Sequence, residues 1–311
     1  MTPATLHPLL AVVVGGLVLA GGAVVVGALD AVVGAAVAGD PRPATAGVRA
    51  WRRVVLAWRR PGTVTERPDL VLWVVAPAAY VGVAALALAV LPLGDGIAIA
   101  DVRTGIVVFG AVEVLAMVAV FLHGWAANSA LALVGAYRFV AESLSFLLLS
   151  MFVLIAAALP AESMAFGEIV ASQQGLWNVV RQPLGLPLFT VVALGTTFWG
   201  PLNLPDGADI ATGTSLEVGG PAYIAWQVAR RAMLAVYAIA TSVVFLGGHL
   251  GPVLPGPVWL ALKSVVVASG FVWLGHRVGR VPMDRFVRVA WTVLLPLSFL
   301  HLAVTGAVVL L

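Results

Sequence analysis

The sequence predicts an all-α integral membrane protein with about eight transmembrane helices and one interfacial amphipathic helix. Three observations predict it. The 311 residues are 61% hydrophobic and only 10% charged, whereas a soluble chain is about half apolar and about a quarter charged. Apolar runs long enough to cross roughly 30 Å of hydrocarbon recur along the whole length, and the mean hydropathy is +1.06. The arginines gather in alternate connectors between those runs, as membrane orientation requires. Residues 1–311 therefore read as a single membrane domain.

The elements follow in order. MTPATLHP carries no lysine or arginine, so the first run, about 9–29 and ended by Asp30, is expected to be a retained span and not a secretory leader. The stretch 40–69 is too charged to cross. Within it, segment 44–60 contains VRAWRRVVLAWRR, with Val48, Trp51, Val54, Val55 and Trp58 at helical spacing and Arg52, Arg53, Arg59 and Arg60 interleaved. That pattern lays a helix in the interface, tryptophans toward lipid and arginines toward the headgroups. Further spans are expected at about 70–91, 106–125, 139–159, 184–198, 223–245, 258–274 and 289–311. Eight spans put both termini on one side. The connectors after spans one, three and seven hold Arg42, Arg49, Arg52, Arg53, Arg59, Arg60, Arg67, Arg138, Arg277, Arg280, Arg285 and Arg288, against Arg103 and Arg181 opposite. The arginine-rich side is cytoplasmic on this count, and both termini are outside.

Composition also narrows the chemistry. There are no cysteines, which excludes disulfides, thiolate-held iron–sulfur clusters and a cysteine nucleophile in this chain. Histidines occur without metal-ligand spacing, and a lone histidine such as His123 or His301 reads as a hydrogen-bonded structural residue. Walker, HExxH and serine-elbow motifs are absent, and no internal repeat suggests an inverted-repeat transporter.

Two groups of polar residues stand out. The first is the acidic cytoplasmic loop 199–221, with Asp206, Asp209 and Glu217 between two apolar runs. It is either a solvated connector or the wall of a chamber at the membrane face. The second is ionisable residues at membrane depth, which are costly and mark function by default. Glu113, Glu142, Arg230 and Lys263 are candidates for a proton path; the alternative is a set of interhelical ion pairs, such as Glu142 with Arg230 or Arg231.

IADVRTG, GWAANSALALVGAYR, VFLGGH and DRFVRVAWTVLLPLSFLHLAVTGAVVL together resemble the quinone-site membrane subunit of respiratory complex I, the H-type subunit family of NADH-quinone oxidoreductase. The similarity covers about 70–311 and more loosely the first 69 residues. Anchor subunits of membrane hydrogenases and formate hydrogenlyases belong to the same superfamily and remain the alternative, with a stand-alone transporter or structural scaffold as a third reading. The resemblance implies a membrane subunit of a bacterial plasma-membrane complex. Its cytoplasmic loops would close a quinone chamber, with quinone as substrate and iron–sulfur clusters only in partner subunits. Chamber residues on this reading are Asp206, Asp209, Glu217, Arg280, Asp284, Arg288, Trp51 and Trp58.

The departures from the family pattern are specific. Thr196 stands for a glutamate, Trp199 for an arginine, Asn203 for an aspartate, Leu147 for a glutamate, Gly275 for an arginine, and Arg230 for a glutamate. Glu217, Arg280, Asp284, Arg288 and Trp291 match. Leu147, Thr196 and Arg230 cannot relay protons as carboxylates do. Glu113 and Glu142 lie where the family has no acid, so they mark either a relocated path or an electrostatic offset to Arg230.

Overall fold

The computed structural model describes residues 4–5, 7–59, 62, 67–207 and 213–310. The described chain is 75% helical, with almost no sheet. Among the described residues, seven helices are long and apolar enough to span a membrane. They are α1 (Pro8–Val37), α3 (Leu70–Ala89), α4 (Gly105–Ala126), α5 (Ala130–Ala158), α9 (Gly220–Phe245), α10 (Gly256–Arg277) and a C-terminal helix built from α11 (Met283–Val289) and α12 (Leu295–Leu310). The expected amphipathic helix is α2 (Ala46–Trp58).

Two expectations need correction. The predicted fifth span is only α8 (Gly185–Thr196), 12 residues, or about 18 Å of helix, well short of the hydrocarbon thickness. The apolar run is longer, but Thr197 leaves the helix and Phe198 takes a left-handed φ of 39°. Two further short helices, α6 (Phe166–Ala171) and α7 (Asn178–Arg181), precede it. Nor does Asp30 end the first helix. Helix α1 continues to Val37 because Asp30 meets His276 across α10, at 2.9 Å.

Local chemistry explains several boundaries. The Asp69 carboxylate accepts from the N–H groups of Val71 and Leu72 and so caps α3. Pro221 and Pro257 open α9 and α10, where a missing N–H costs nothing. Between α11 and α12 lies a π-helical segment, Ala290–Leu294, just before Pro296. Proline cannot donate to the turn before it, and the ladder widens there.

Helix α9 is the axis of the bundle. Its most apolar window is 89% buried, against 22% for α1 and for the C-terminal helix. It packs against α1, α3, α8 and α10. Side-chain contacts divide the connectors between two ends. At one end lie α2, the turn between α4 and α5, the 197–219 loop and the start of α11. Tight contacts join them: Asp69 N–H to Ala126 O, Asn128 to Arg67 O, and Val281 N–H to Pro201 O. This is the arginine-rich end. At the other end, β1 (Ala4–Thr5) pairs with β3 (Ile97–Ala98), which pairs with β2 (Pro92–Gly94). Helices α6 and α7 and the 246–255 loop share that end.

Candidate functional site

The acidic loop is organised around Asp206, which is 4% exposed. Its Oδ1 accepts from Thr214 Oγ1 at 3.0 Å, Ser215 Oγ at 2.6 Å and Trp226 Nε1 at 2.6 Å. Its Oδ2 pairs with the Arg230 guanidinium. Arg230 also donates to Phe198 O at 2.7 Å and Asn203 Oδ1 at 3.3 Å, and it lies over the rings of Phe198 and Trp199. A buried carboxylate is tolerable only when its lone pairs are met and a cation stands beside it; Asp206 has both. Glu217 is half-buried and accepts from Ser129 Oγ at 3.1 Å. Asp209 lies outside the described residues.

The loop can lie on the helices because of two glycines in the GWAANSALALVGAYR stretch. A Cβ on Gly135 would meet Thr214 N at 2.5 Å and Pro205 O at 2.6 Å. One on Gly124 would meet Ala132 O and Ala136 Cβ at 2.8 Å, and Thr214 Cγ2 at 3.0 Å. Backbone therefore packs directly on backbone there. On the far side of the loop, Gly200, at φ 59°, touches Gly275 of α10, and the Trp199 ring covers Gly275.

On the opposite face of α9 lies a cavity of about 1700 Å³ between α1, α2 and α9. Its walls are mostly alanine, valine and glycine, with Trp51 and Trp58 of α2 at its surface. Those rings are 62% and 58% exposed, so the rest of the described chain leaves the tryptophan face uncovered. Asp40, also at the cavity, is held below the usual carboxylate range, first by the Arg42 N–H and then by Arg49. The polar floor is a cluster that sequence reasoning missed: Asp30 of α1, Arg231 of α9 and His276 of α10, with Asp30 bonded to His276 and close to the Arg231 charge. Gly27 and Gly34 of α1 make room for it. A Cβ on Gly27 would meet Arg231 Nη1 at 3.3 Å, and one on Gly34 would meet His276 Cε1 at 2.8 Å. Gly27, Asp30 and Gly34 fall on one helix face, and that spacing was the available signal.

The structure thus separates the expected chamber residues. Trp51 and Trp58 line the cavity. Asp206 and Glu217 lie outside its lining; Gln227, which lines it, connects to Asp206 through Arg230 at 3.3 Å. Arg280, Asp284 and Arg288 are exposed at the arginine-rich end and do not line it.

The four membrane-depth residues have different surroundings. Arg230 pairs with Asp206, not with Glu142 as one reading expected. Neither oxygen of Glu142 has a hydrogen-bond partner among the described residues. Glu113, 1% exposed, accepts through Oε1 from Ser150 Oγ at 2.8 Å and Tyr237 OH at 3.0 Å, while Oε2 is unpartnered among the described residues. Tyr237 also bonds to the Thr196 hydroxyl, and Tyr80 OH donates to Thr196 O at 2.8 Å. Lys263 lies at the other end and touches none of these. The histidines are not hydrogen-bonded as expected: His123 stacks on Trp226 at 3.7 Å with both ring nitrogens unpartnered among the described residues, and His301 Nε2 is likewise unpartnered. No cluster of potential metal ligands occurs among the described residues.

Fold and site together define a polytopic helical membrane protein with a largely apolar cavity, a polar floor and a pinned acidic loop behind it. The chain belongs to the NADH dehydrogenase family, whose profile matches residues 58–306. It is 36% identical over 253 residues to an H-type subunit of the NADH-quinone oxidoreductase of Rhodopseudomonas palustris (strain ATCC BAA-98 / CGA009), covering 79% of each chain. It is 32% identical over 251 residues to the corresponding NADH-quinone oxidoreductase subunit of Anoxybacillus flavithermus (strain DSM 21510 / WK1), covering 79% of this chain and 75% of that one.

Proposed function

We propose that this chain is the quinone-site membrane subunit of a complex I-like NADH-quinone oxidoreductase in a bacterial plasma membrane. The observation that carries this reading is the apolar cavity between α1, α2 and α9, open beside the interfacial tryptophans and floored by Asp30, Arg231 and His276. The names of the relatives support it. The apolar walls take the isoprenoid tail of a quinone, and the floor offers N–H donors to a carbonyl oxygen. The chain has no cysteine with which to hold a cluster, so the two electrons that convert quinone to quinol come from an iron–sulfur partner subunit. The arginine-rich end faces the cytoplasm, where that partner docks. Asp206 and Arg230 fix the loop on the other side of α9, and Glu217 anchors its distal end to Ser129.

Quinone reduction is coupled to proton translocation through Glu113 on this reading. The carboxyl sits between hydroxyl partners that can each donate or accept, and its Oε2 is free to take a proton. In the assembled complex in sealed vesicles, Glu113→Gln keeps the size and the two accepted hydrogen bonds. We expect quinone reduction to stay within about twofold of the parent while proton uptake per quinone falls; loss of a positioned proton carrier is typically worth 10²–10⁴-fold in its own step. An unchanged proton-to-quinone ratio sinks the Glu113 route. Absence of quinone reductase activity in the parent complex sinks the wider assignment.

A further inference from the structure

Lys263 is the chain's single lysine, and its surroundings are those of a bound cation. Its Nζ donates to three main-chain carbonyls: Leu246 O at 2.6 Å, Leu250 O at 2.7 Å and Gly248 O at 3.0 Å. The Trp177 ring lies over the ammonium at 4.3 Å and that of Trp259 at 5.8 Å. All three N–H donors are spent on carbonyls. Carbonyl oxygens accept hydrogen bonds but hold no proton to pass on, so these three partners among the described residues offer the ammonium no relay.

The cage is built by the end of α9 and the loop that follows it. Gly247 and Gly248 take left-handed φ values of 70° and 51°, which turns the alternate carbonyls of residues 246, 248 and 250 toward one point. Neither position tolerates a side chain: a Cβ on Gly247 would meet Trp177 Nε1 at 2.9 Å. The outward N–H groups are held in turn. Gly247 N–H donates to Gln173 Oε1 at 3.0 Å, and Gly248 N–H to Ser242 O at 2.8 Å. Gln173 and Asn178 take up the Val243 and Val244 carbonyls. The helix C-terminus also carries partial negative charge. Converging carbonyls at these distances, with aromatic faces beside them, make the coordination shell that monovalent cations use in protein pores.

We propose that the 246–250 loop is a monovalent-cation site whose cation is supplied in cis by Lys263, and that the vacated site takes primary alkylammonium ions. In this role Lys263 is a positioning residue. It fixes the end of α9, and with it the axial placement of Tyr237 and Arg230 on the same helix.

The absence of native cysteine allows a clean test on the full chain in nanodiscs. Lys263→Ala is expected to lower Tm by roughly 5–10 °C. n-Propylammonium, which replaces the missing three carbons and amine, should recover most of that loss in a saturable way. Isosteric n-propanol should not, and Lys263→Met should stay low with either additive. Should Lys263→Ala fail to fold, Lys263→Cys is alkylated with 2-bromoethylamine. The thiol loses its proton, an S–C bond forms, bromide leaves, and an ammonium returns at nearly the original reach. Ethylation with iodoethane is the neutral control. Recovery only with the charged reagents supports the cation site. Lys263→Met as stable as the parent, or equal recovery with neutral and charged reagents, overturns it.

Discussion

At the scale of single residues, one buried charge pair, Asp206 with Arg230, holds the acidic loop. Trp199 and Gly275 occupy positions where the family resemblance implies arginines, and the Trp199 ring fills the space over Gly275. Arg230 occupies a position where it implies a glutamate. The guanidinium that meets the acidic loop therefore comes from α9 and finds Asp206. Removing one partner of a buried pair leaves an uncompensated charge, worth about 3–5 kcal/mol. Asp206→Asn is accordingly expected to cut the amount of assembled chain severely and to lower its Tm. The double change Asp206→Leu with Arg230→Met should recover most of the loss, because two apolar groups need no counter-charge. A double variant worse than the single would show that the pair is not the main reason for the loop's stability. Glu142 is the exception at this scale: the structure gives no physical account of its two oxygens, unpartnered among the described residues.

At the scale of elements, glycines decide what can approach what. Gly135 lets the loop backbone rest on α5, and Gly34 lets His276 reach α1. Overpacking of such contacts costs about 1–3 kcal/mol. Gly135→Ala should loosen the loop and give residues 206–207 and 213–218 faster amide hydrogen exchange, while exchange in α10 stays as in the parent. Unchanged exchange in the loop would remove the glycine contact as its anchor. Periodicity and charge made α2, the long helices and the two-ended distribution of arginines legible from sequence, because each is a local pattern of apolar and basic residues. The truncation of α8 was not legible. Its apolar run is long enough to span, and what ends the helix is the left-handed turn at Phe198, fixed by tertiary contacts with Tyr80, Phe139 and Trp226. The Asp30 cluster was missed for a related reason. Its members are far apart in sequence, Asp30 and His276 by 246 positions, and a polar residue near the end of an apolar run looks like a helix stop.

At the scale of the molecule, α9 divides two environments. On one side lies the apolar cavity with its polar floor; on the other lies the Asp206–Arg230 loop and, deeper, Glu113 with Tyr237. Both depend on the axial position of α9, which is tied at its N-terminal half by Arg230 and beyond its C-terminus by the carbonyls that hold Lys263. The family resemblance implied one chamber for Trp51, Trp58 and Asp206, and a likeness of sequence motifs carries no packing of the helices between them. Only the packing of α9 between them separates the two.

The central claim, that the cavity between α1, α2 and α9 holds quinone, is tested most directly by photolabelling the assembled complex with an azidoquinone and mapping the adducts by mass spectrometry. The account predicts adducts within residues 20–35, 46–58 and 223–231, all suppressed by excess unlabelled quinone. Adducts confined to other helices, or adducts in these segments that excess quinone leaves unchanged, would contradict it.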